Sequence, residues 1–106
     1  MNGVAAGSNV AVTTTAKRLD TALALAANLH FNKITLQYAH EATATSRVYF
    51  GNSDVGSTGA NAHGELAPGD SYTFGGLSAQ WVLSSNIYFA GSLEGASNVV
   101  FVNCEE

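Results

Sequence analysis

Apolar and polar positions alternate most cleanly from Phe31 to Tyr38. Ile34, Leu36 and Tyr38 fall on one side of a period of two, and Lys33, Thr35 and Gln37 on the other. That pattern predicts a strand with one buried face and one that is wet or meets a polar partner. Asn9 to Thr15 alternates in the same way and is rich in β-branched residues, which predicts a second strand. Further strands are predicted at Arg47–Phe50, Ser71–Phe74 and Asn86–Ala90, with a short strand or bend over Gln80–Leu83. Arg47–Phe50 is expected to be the hairpin partner of the strand before it. Asn98 to Asn103 is apolar on both faces, which predicts a central strand.

Leu19 to Leu29 pulls in two directions. Its Ala and Leu content favours a helix, yet Leu19, Thr21, Leu23 and Leu25 recur at period two. In an ideal helix those four positions form no single stripe. The expectation is an extended segment, with a one-turn helix as the alternative. Taken together, about seven or eight short strands with frequent turns define an all-β chain, a small antiparallel β-sandwich or jelly-roll-like barrel. Residues 1–8 are small and are expected to form a flexible N-terminal arm, with 9–106 as a single domain.

Composition changes this picture in one respect. Hydrophobic residues make up an ordinary 46% of the 106, but charged residues only 11%, against about 25% in a typical domain. Thr, Ser, Asn, Gly and Ala must therefore cover the surface, which suits a protein packed against neighbours and equally suits a secreted β-protein. The net charge is −4, and the four cations, Lys17, Arg18, Lys33 and Arg47, form no basic stripe, so nucleic acid is not an expected partner. No basic amphipathic segment or long apolar run points to a membrane, and the N-terminus does not read as a signal peptide. A lone cysteine, Cys104, cannot form an internal disulfide and is expected to be a small buried hydrophobe.

The most informative stretch runs from Arg47 to Phe74. A β-rich piece, Val48-Tyr49-Phe50, is broken by Gly51-Asn52-Ser53-Asp54, and Val55–Leu66 reads as a small-residue loop. Ala67-Pro68-Gly69-Asp70 has Pro where φ must be near −65° and Gly where φ must be positive, which is type II turn chemistry. In the strand that follows, Tyr72 and Phe74 share one face. V-Y-F-G-N-S-D-V, a loop, then L-A-P-G-D-S-Y-T-F resembles a pattern of small structural proteins of tailed bacteriophages, and Leu83–Gly91 resembles the strand that usually follows. The resemblance spans about residues 30 to 102. It implies a β-sandwich component of the virion, above all a capsid decoration or cement protein. Its partners would be the major capsid protein and copies of itself, as a homotrimer. It would be located on the capsid surface after assembly in the host cytoplasm. A tail, collar or fibre component is the alternative within the particle. The loop Val55–Gly64 is longer than that pattern and is expected to be a tolerated surface insertion.

Catalytic chemistry is hard to find. His30, His40 and His63 lack zinc-ligand spacing, no G-x-S-x-G elbow surrounds a serine, and Cys104 has no catalytic signature. G-S-T-G-A-N-A-H-G lacks the Lys and following helix of a phosphate loop. No pair among Asp20, Glu41, Asp54, Glu65, Asp70, Glu94, Glu105 and Glu106 stands out for glycosidase work. Asn52, Asp54 and Glu65 could offer oxygens to calcium but are too few carboxylates, so turn capping is expected instead. Trp81 with Tyr72 and Tyr88 could form a sugar platform, which makes a carbohydrate-binding module the alternative of a different class; packing is the expected role. No enzyme activity, cofactor, metal or catalytic residue is expected.

Overall fold

In the computed structural model, residues 4–25, 30–75, 82–83, 86–95 and 97–105 are described. Among them ten strands and one helical turn follow in chain order. They are β1 (Val4–Ala11), β2 (Lys17–Arg18), α1 (Leu19–Ala22), β3 (His30–Phe31), β4 (Lys33–Tyr38), β5 (Val48–Gly51), β6 (Ala62–Leu66), β7 (Ser71–Gly75), β8 (Val82–Leu83), β9 (Tyr88–Gly91) and β10 (Val99–Glu105). They form two four-stranded antiparallel sheets, β1-β10-β4-β7 and β2-β9-β5-β6, and a small β3-β8 pair. The two large sheets pack face to face as a sandwich. The all-β expectation holds.

The first sheet is organised by register. β10 is central, with Val100 opposite Tyr38, Val102 opposite Leu36 and Cys104 opposite Ile34. β7 continues the rows, with Phe74 opposite Ile34 and Tyr72 opposite Leu36. Ile34, Leu36, Tyr38, Val100, Val102 and Cys104 are all buried, and the second sheet covers them with Val48, Phe50, Leu66 and Phe89. The strand predicted over Phe31–Tyr38 is thus present, with the predicted face inward, interrupted only at Asn32.

Several expectations are corrected. Arg47–Phe50 is no hairpin partner of β4. Both sides of β4 are taken by β10 and β7, and β5 pairs with β6 and β9 in the other sheet. The connection between β4 and β5 is instead a folded crossover. The Tyr38 hydroxyl lies 2.7 Å from Ser46 Oγ, which itself donates to the Thr43 carbonyl at 2.6 Å. The Thr43 N–H donates to buried Asn98 Oδ1 at 2.9 Å, anchoring the crossover to the start of β10. The N-terminal strand predicted from Asn9 begins at Val4, inside the segment expected to be an arm. Residues 4–8 pair along β10, and the strand ends at Ala11.

Helix propensity prevails over the period-two reading at residues 19–22. Leu23 N–H donates to the Leu19 carbonyl, as a helical turn requires. Leu19 is buried, and Ala22 and Leu23, three and four positions on, pack partly against the same core. Asp20 is also fully buried. Its Oδ1 accepts from Arg18 Nε at 2.6 Å and the Thr21 N–H at 2.7 Å, whereas Oδ2 has no partner. Residues 26–29 of that stretch lie outside the described residues.

The loop expected over Val55–Leu66 is cut short by β6, because Ala62–Leu66 pairs with β5 across a bulge at Phe50/Gly51. The turn that follows matches its prediction. Asp70 N–H donates to the Ala67 carbonyl at 2.9 Å, and Gly69 has φ +90°. This turn carries the chain from the edge of one sheet, β6, to the edge of the other, β7. Phe50 closes the gap between them, its ring centroid 4.7 Å from that of Tyr72 and 5.5 Å from that of Phe74. Phe50 can lie there because residue 64 has no side chain, since a Cβ on Gly64 would run into the Phe50 ring. Gly64→Ala should therefore displace a ring held on both sides and cost about 1–3 kcal/mol, a melting-temperature drop of several degrees in a thermal scan.

Candidate functional site

Two surfaces present chemistry to the outside. The first is the outer face of the sheet β1-β10-β4-β7. Its side chains are the residues that alternate with the core positions: Asn9 and Phe101, Gln37 and Ser71, then Asn103, Thr35 and Thr73. Thr35 and Thr73 meet through their hydroxyls at 3.2 Å. Lys33 and Glu105 sit opposite each other in the register and pair at 3.1 Å, so the only charges in this array neutralise one another. Half-buried Val99 and Phe101 are its apolar groups on β10. The expectation that Asn98–Asn103 is apolar on both faces is therefore met only in part. The strand is central, but Phe101 is followed on the outer face by Asn103. This face can offer hydroxyl and amide hydrogen bonds over an area of no net charge.

The second surface lies on the other sheet. Residues 52–61 fold back over Tyr49, held by Val55 N–H to the Asn52 carbonyl, Gly56 N–H to the Ala60 carbonyl and Ala62 N–H to the Gly59 carbonyl. Val55 is buried under this loop. Gly59 has φ +87°, and a Cβ there would stand 3.2 Å from the Tyr49 ring, so only glycine lets the loop lie so close. Tyr49, Thr58, Gly59, Ala62, His63, Gly64 and Glu65 line an open groove of about 410 Å³. His63 and Glu65 are exposed on the same side of β6, and Arg47 Nε approaches Glu65 only to 4.0 Å. The segment expected to be a surface insertion thus has defined internal bonding and builds one wall of a groove.

The other residues singled out in the sequence are scattered. His30 and His40 are exposed, and His40 stands 3.9 Å from Glu41 with both in solvent. Asn52 and Asp54 are exposed turn residues. Among the described residues, no group of three or more His, Cys, Asp or Glu is placed to hold a metal ion, and no helix is long and apolar enough to cross a membrane. Tyr72 and Tyr88 do not form a platform together. Tyr72 packs inward on Phe50 and Phe74, whereas Tyr88 lies on the second sheet beside Arg18, alternating with buried Phe89. Trp81 lies outside the described residues. Neither surface was named from the sequence, although the alternation of Lys33, Thr35 and Gln37 marked one strand of the first. No family model matches the chain, and neither a curated protein nor a solved structure matches it.

Cys104 is buried in the core row beside Ile34 and Val102, as expected of a small hydrophobe. Burial pushes its thiol up to about 11. In the native protein it should react with a thiol reagent at pH 8 at least roughly 100-fold more slowly than in urea, because the thiolate is the reactive form and the buried sulfur is shielded from the reagent. The same shift makes stability depend on pH. Between the unfolded value near 9 and the folded value near 11, the unfolded chain binds fewer protons, so stability falls as pH rises. Urea melts from pH 8 to 11 should show this fall, and the difference between the native chain and Cys104→Ala should isolate the part due to the thiol.

Proposed function

We propose that this protein is a structural component of a tailed-phage virion and that it decorates the capsid by binding across neighbouring capsid subunits. The observation that carries the reading is the outer face of the first sheet. It is built of Thr, Asn, Gln and Ser around half-buried Val99 and Phe101, with one internally neutralised ion pair. Desolvating such a face costs less than desolvating lysines and glutamates, provided the partner returns its hydrogen bonds. The low overall charge supports the same reading. So does the resemblance of the segments that become β5, the Pro68-Gly69 turn and β7, although a resemblance of fold pattern is an analogy for function.

The mechanism needs no reaction. Each copy joins two or more capsid subunits, so its binding free energy must be lost before those subunits can part. Repetition over the shell multiplies a modest contact, and copies held close by the lattice bind with a high effective concentration. The expected partners are the major capsid protein and other copies of this chain.

Purified protein should co-sediment with heads lacking it, saturate at many copies spread over the shell, and raise the shell's melting temperature. Saturation at only a few copies would move the protein to a vertex, collar or tail. No binding at all would overturn the virion reading and return attention to soluble ligands such as oligosaccharides. A double variant, Gln37→Glu with Asn103→Glu, puts unpaired charge into the proposed contact at two exposed positions that are not directly opposite each other, leaving the core untouched. It should weaken shell binding at least roughly tenfold with little change in the melting temperature of the free protein.

A further inference from the structure

The two large sheets have four edges, and three of them carry features that discourage strand addition. β2 is two residues long and both are cationic. β6 carries Glu65 and pairs with β5 through a bulge. β1 has a register irregularity between Val4 and Ala6. The fourth, β7, reads Ser71-Tyr72-Thr73-Phe74-Gly75, with no charge, no proline and no bulge in its pairing with β4. An edge of this kind is a template for another strand.

The ladder shows which groups are open. Tyr38 N–H donates to the Asp70 carbonyl just before β7. The Asp70 carbonyl thus faces β4, and Tyr72 and Phe74, two and four positions on, exchange backbone bonds with it, because antiparallel ladders alternate. The N–H and C=O groups of Ser71, Thr73 and Gly75 point the other way, and among the described residues nothing pairs with them. Tyr72 sits on the core side of this edge and is 46% exposed, one of the two large exposed hydrophobic residues among those described.

We propose that β7 pairs antiparallel with β7 of a second copy of this chain, about a two-fold axis at Thr73. The edge is self-complementary in both respects that matter. With Thr73 opposite Thr73 and Ser71 opposite Gly75, every outward backbone group meets its counterpart. In the same register Tyr72 of one copy lies opposite Phe74 of the other, a close non-hydrogen-bonded pair. The cluster of Phe50, Tyr72 and Phe74 then continues across the axis and takes the exposed ring of Tyr72 out of water. No like charges meet, because β7 has none. The result is an eight-stranded sheet, β1-β10-β4-β7 followed by its mirror order, whose outer face doubles the neutral area described above. The symmetry is two-fold, so this contact makes a dimer and not the trimer that the family resemblance implies. It does not rest on the virion reading, since the isolated chain suffices to test it.

Thr73→Pro is the informative variant. The Thr73 N–H points away from β4, so proline removes a backbone donor only from the outer side, where edge strands tolerate it, and besides it only the exposed hydroxyl contact with Thr35. Sedimentation equilibrium of the native chain should give twice the 10.9 kDa chain mass. Thr73→Pro removes two symmetry-related bonds and should raise the dissociation constant at least about 30-fold, with an unchanged far-ultraviolet circular dichroism spectrum. Tyr72→Ser should weaken the dimer without touching the backbone ladder, which keeps the test decisive if the proline variant folds poorly. In the native chain, hydrogen exchange at the Ser71, Thr73 and Gly75 amides should speed up on dilution. A native monomer at millimolar concentration, a trimer, or a dimer that survives both substitutions would overturn the proposal.

Discussion

Side chains on a strand alternate with a period of two, so a slip of one residue between β10 and β4 would turn Val100, Val102 and Cys104 outward and bring Phe101, Asn103 and Glu105 in. That one register decides nearly everything else about the first sheet. It sets the inner rows Val102–Leu36–Tyr72 and Cys104–Ile34–Phe74 and the outer rows Asn103–Thr35–Thr73 and Glu105–Lys33–Gly75. The core and the neutral outer face are two readings of a single alignment. Cys104 belongs to the inner set, where its thiol stays protonated because a thiolate would be desolvated there.

The second sheet is tied on through crossovers. The chain passes from β4 to β5 by a segment whose buried hydroxyls bond one another and whose backbone is held by Asn98. It returns from β6 to β7 through the Pro68-Gly69 turn. Neither crossing leaves a buried side-chain polar atom without a partner, as buried polar groups require. Between the two crossings, Phe50 fills the open side of the sandwich. Its place depends on the missing side chain at Gly64 and on the rings of Tyr72 and Phe74. Among the described residues, the buried side-chain atom without a partner is elsewhere: Asp20 has one carboxylate oxygen unpaired and the other sharing Arg18 with solvent. Such a pair adds little net stability while intact, and breaking it would leave a buried charge behind.

How much of this could be read beforehand depended on whether the deciding interaction was local. The faces of β4, the turn at Pro68-Gly69 and the shared face of Tyr72 and Phe74 follow from neighbours a few residues apart, and each was legible in the sequence. The pairing of β5 was not, since proximity in sequence favoured β4 while β10 and β7, far along the chain, occupied both of its sides. β6 was hidden because Ala62-His63-Gly64 has weak strand propensity, and its glycine is explained only by a ring from β5. At Leu19–Ala22 two local signals disagreed, and the helical bond from Leu23 to Leu19 prevailed where Leu19 could be buried. The candidate surfaces were half legible. Lys33, Thr35 and Gln37 marked an outer strand, but only the alignment with β10 and β7 shows that their neighbours are uncharged too.

The shortage of charge acquires a meaning when it is placed on the fold. A surface of hydroxyls and amides is well hydrated, but it lacks the like-charge repulsion by which many sheet proteins keep their edges apart. Two of the four edges carry charge, on Lys17-Arg18 and Glu65, and a third is irregular. The fourth combines open backbone groups with an exposed aromatic ring beside the neutral face. In a protein that works alone, such an edge would be a standing risk of uncontrolled association. In one that works within an assembly, the same features let backbone and aromatic contacts form without first stripping water from ions. The two-fold self-complementarity of β7 makes that association finite, because a closed pair leaves no second copy of the same edge to propagate.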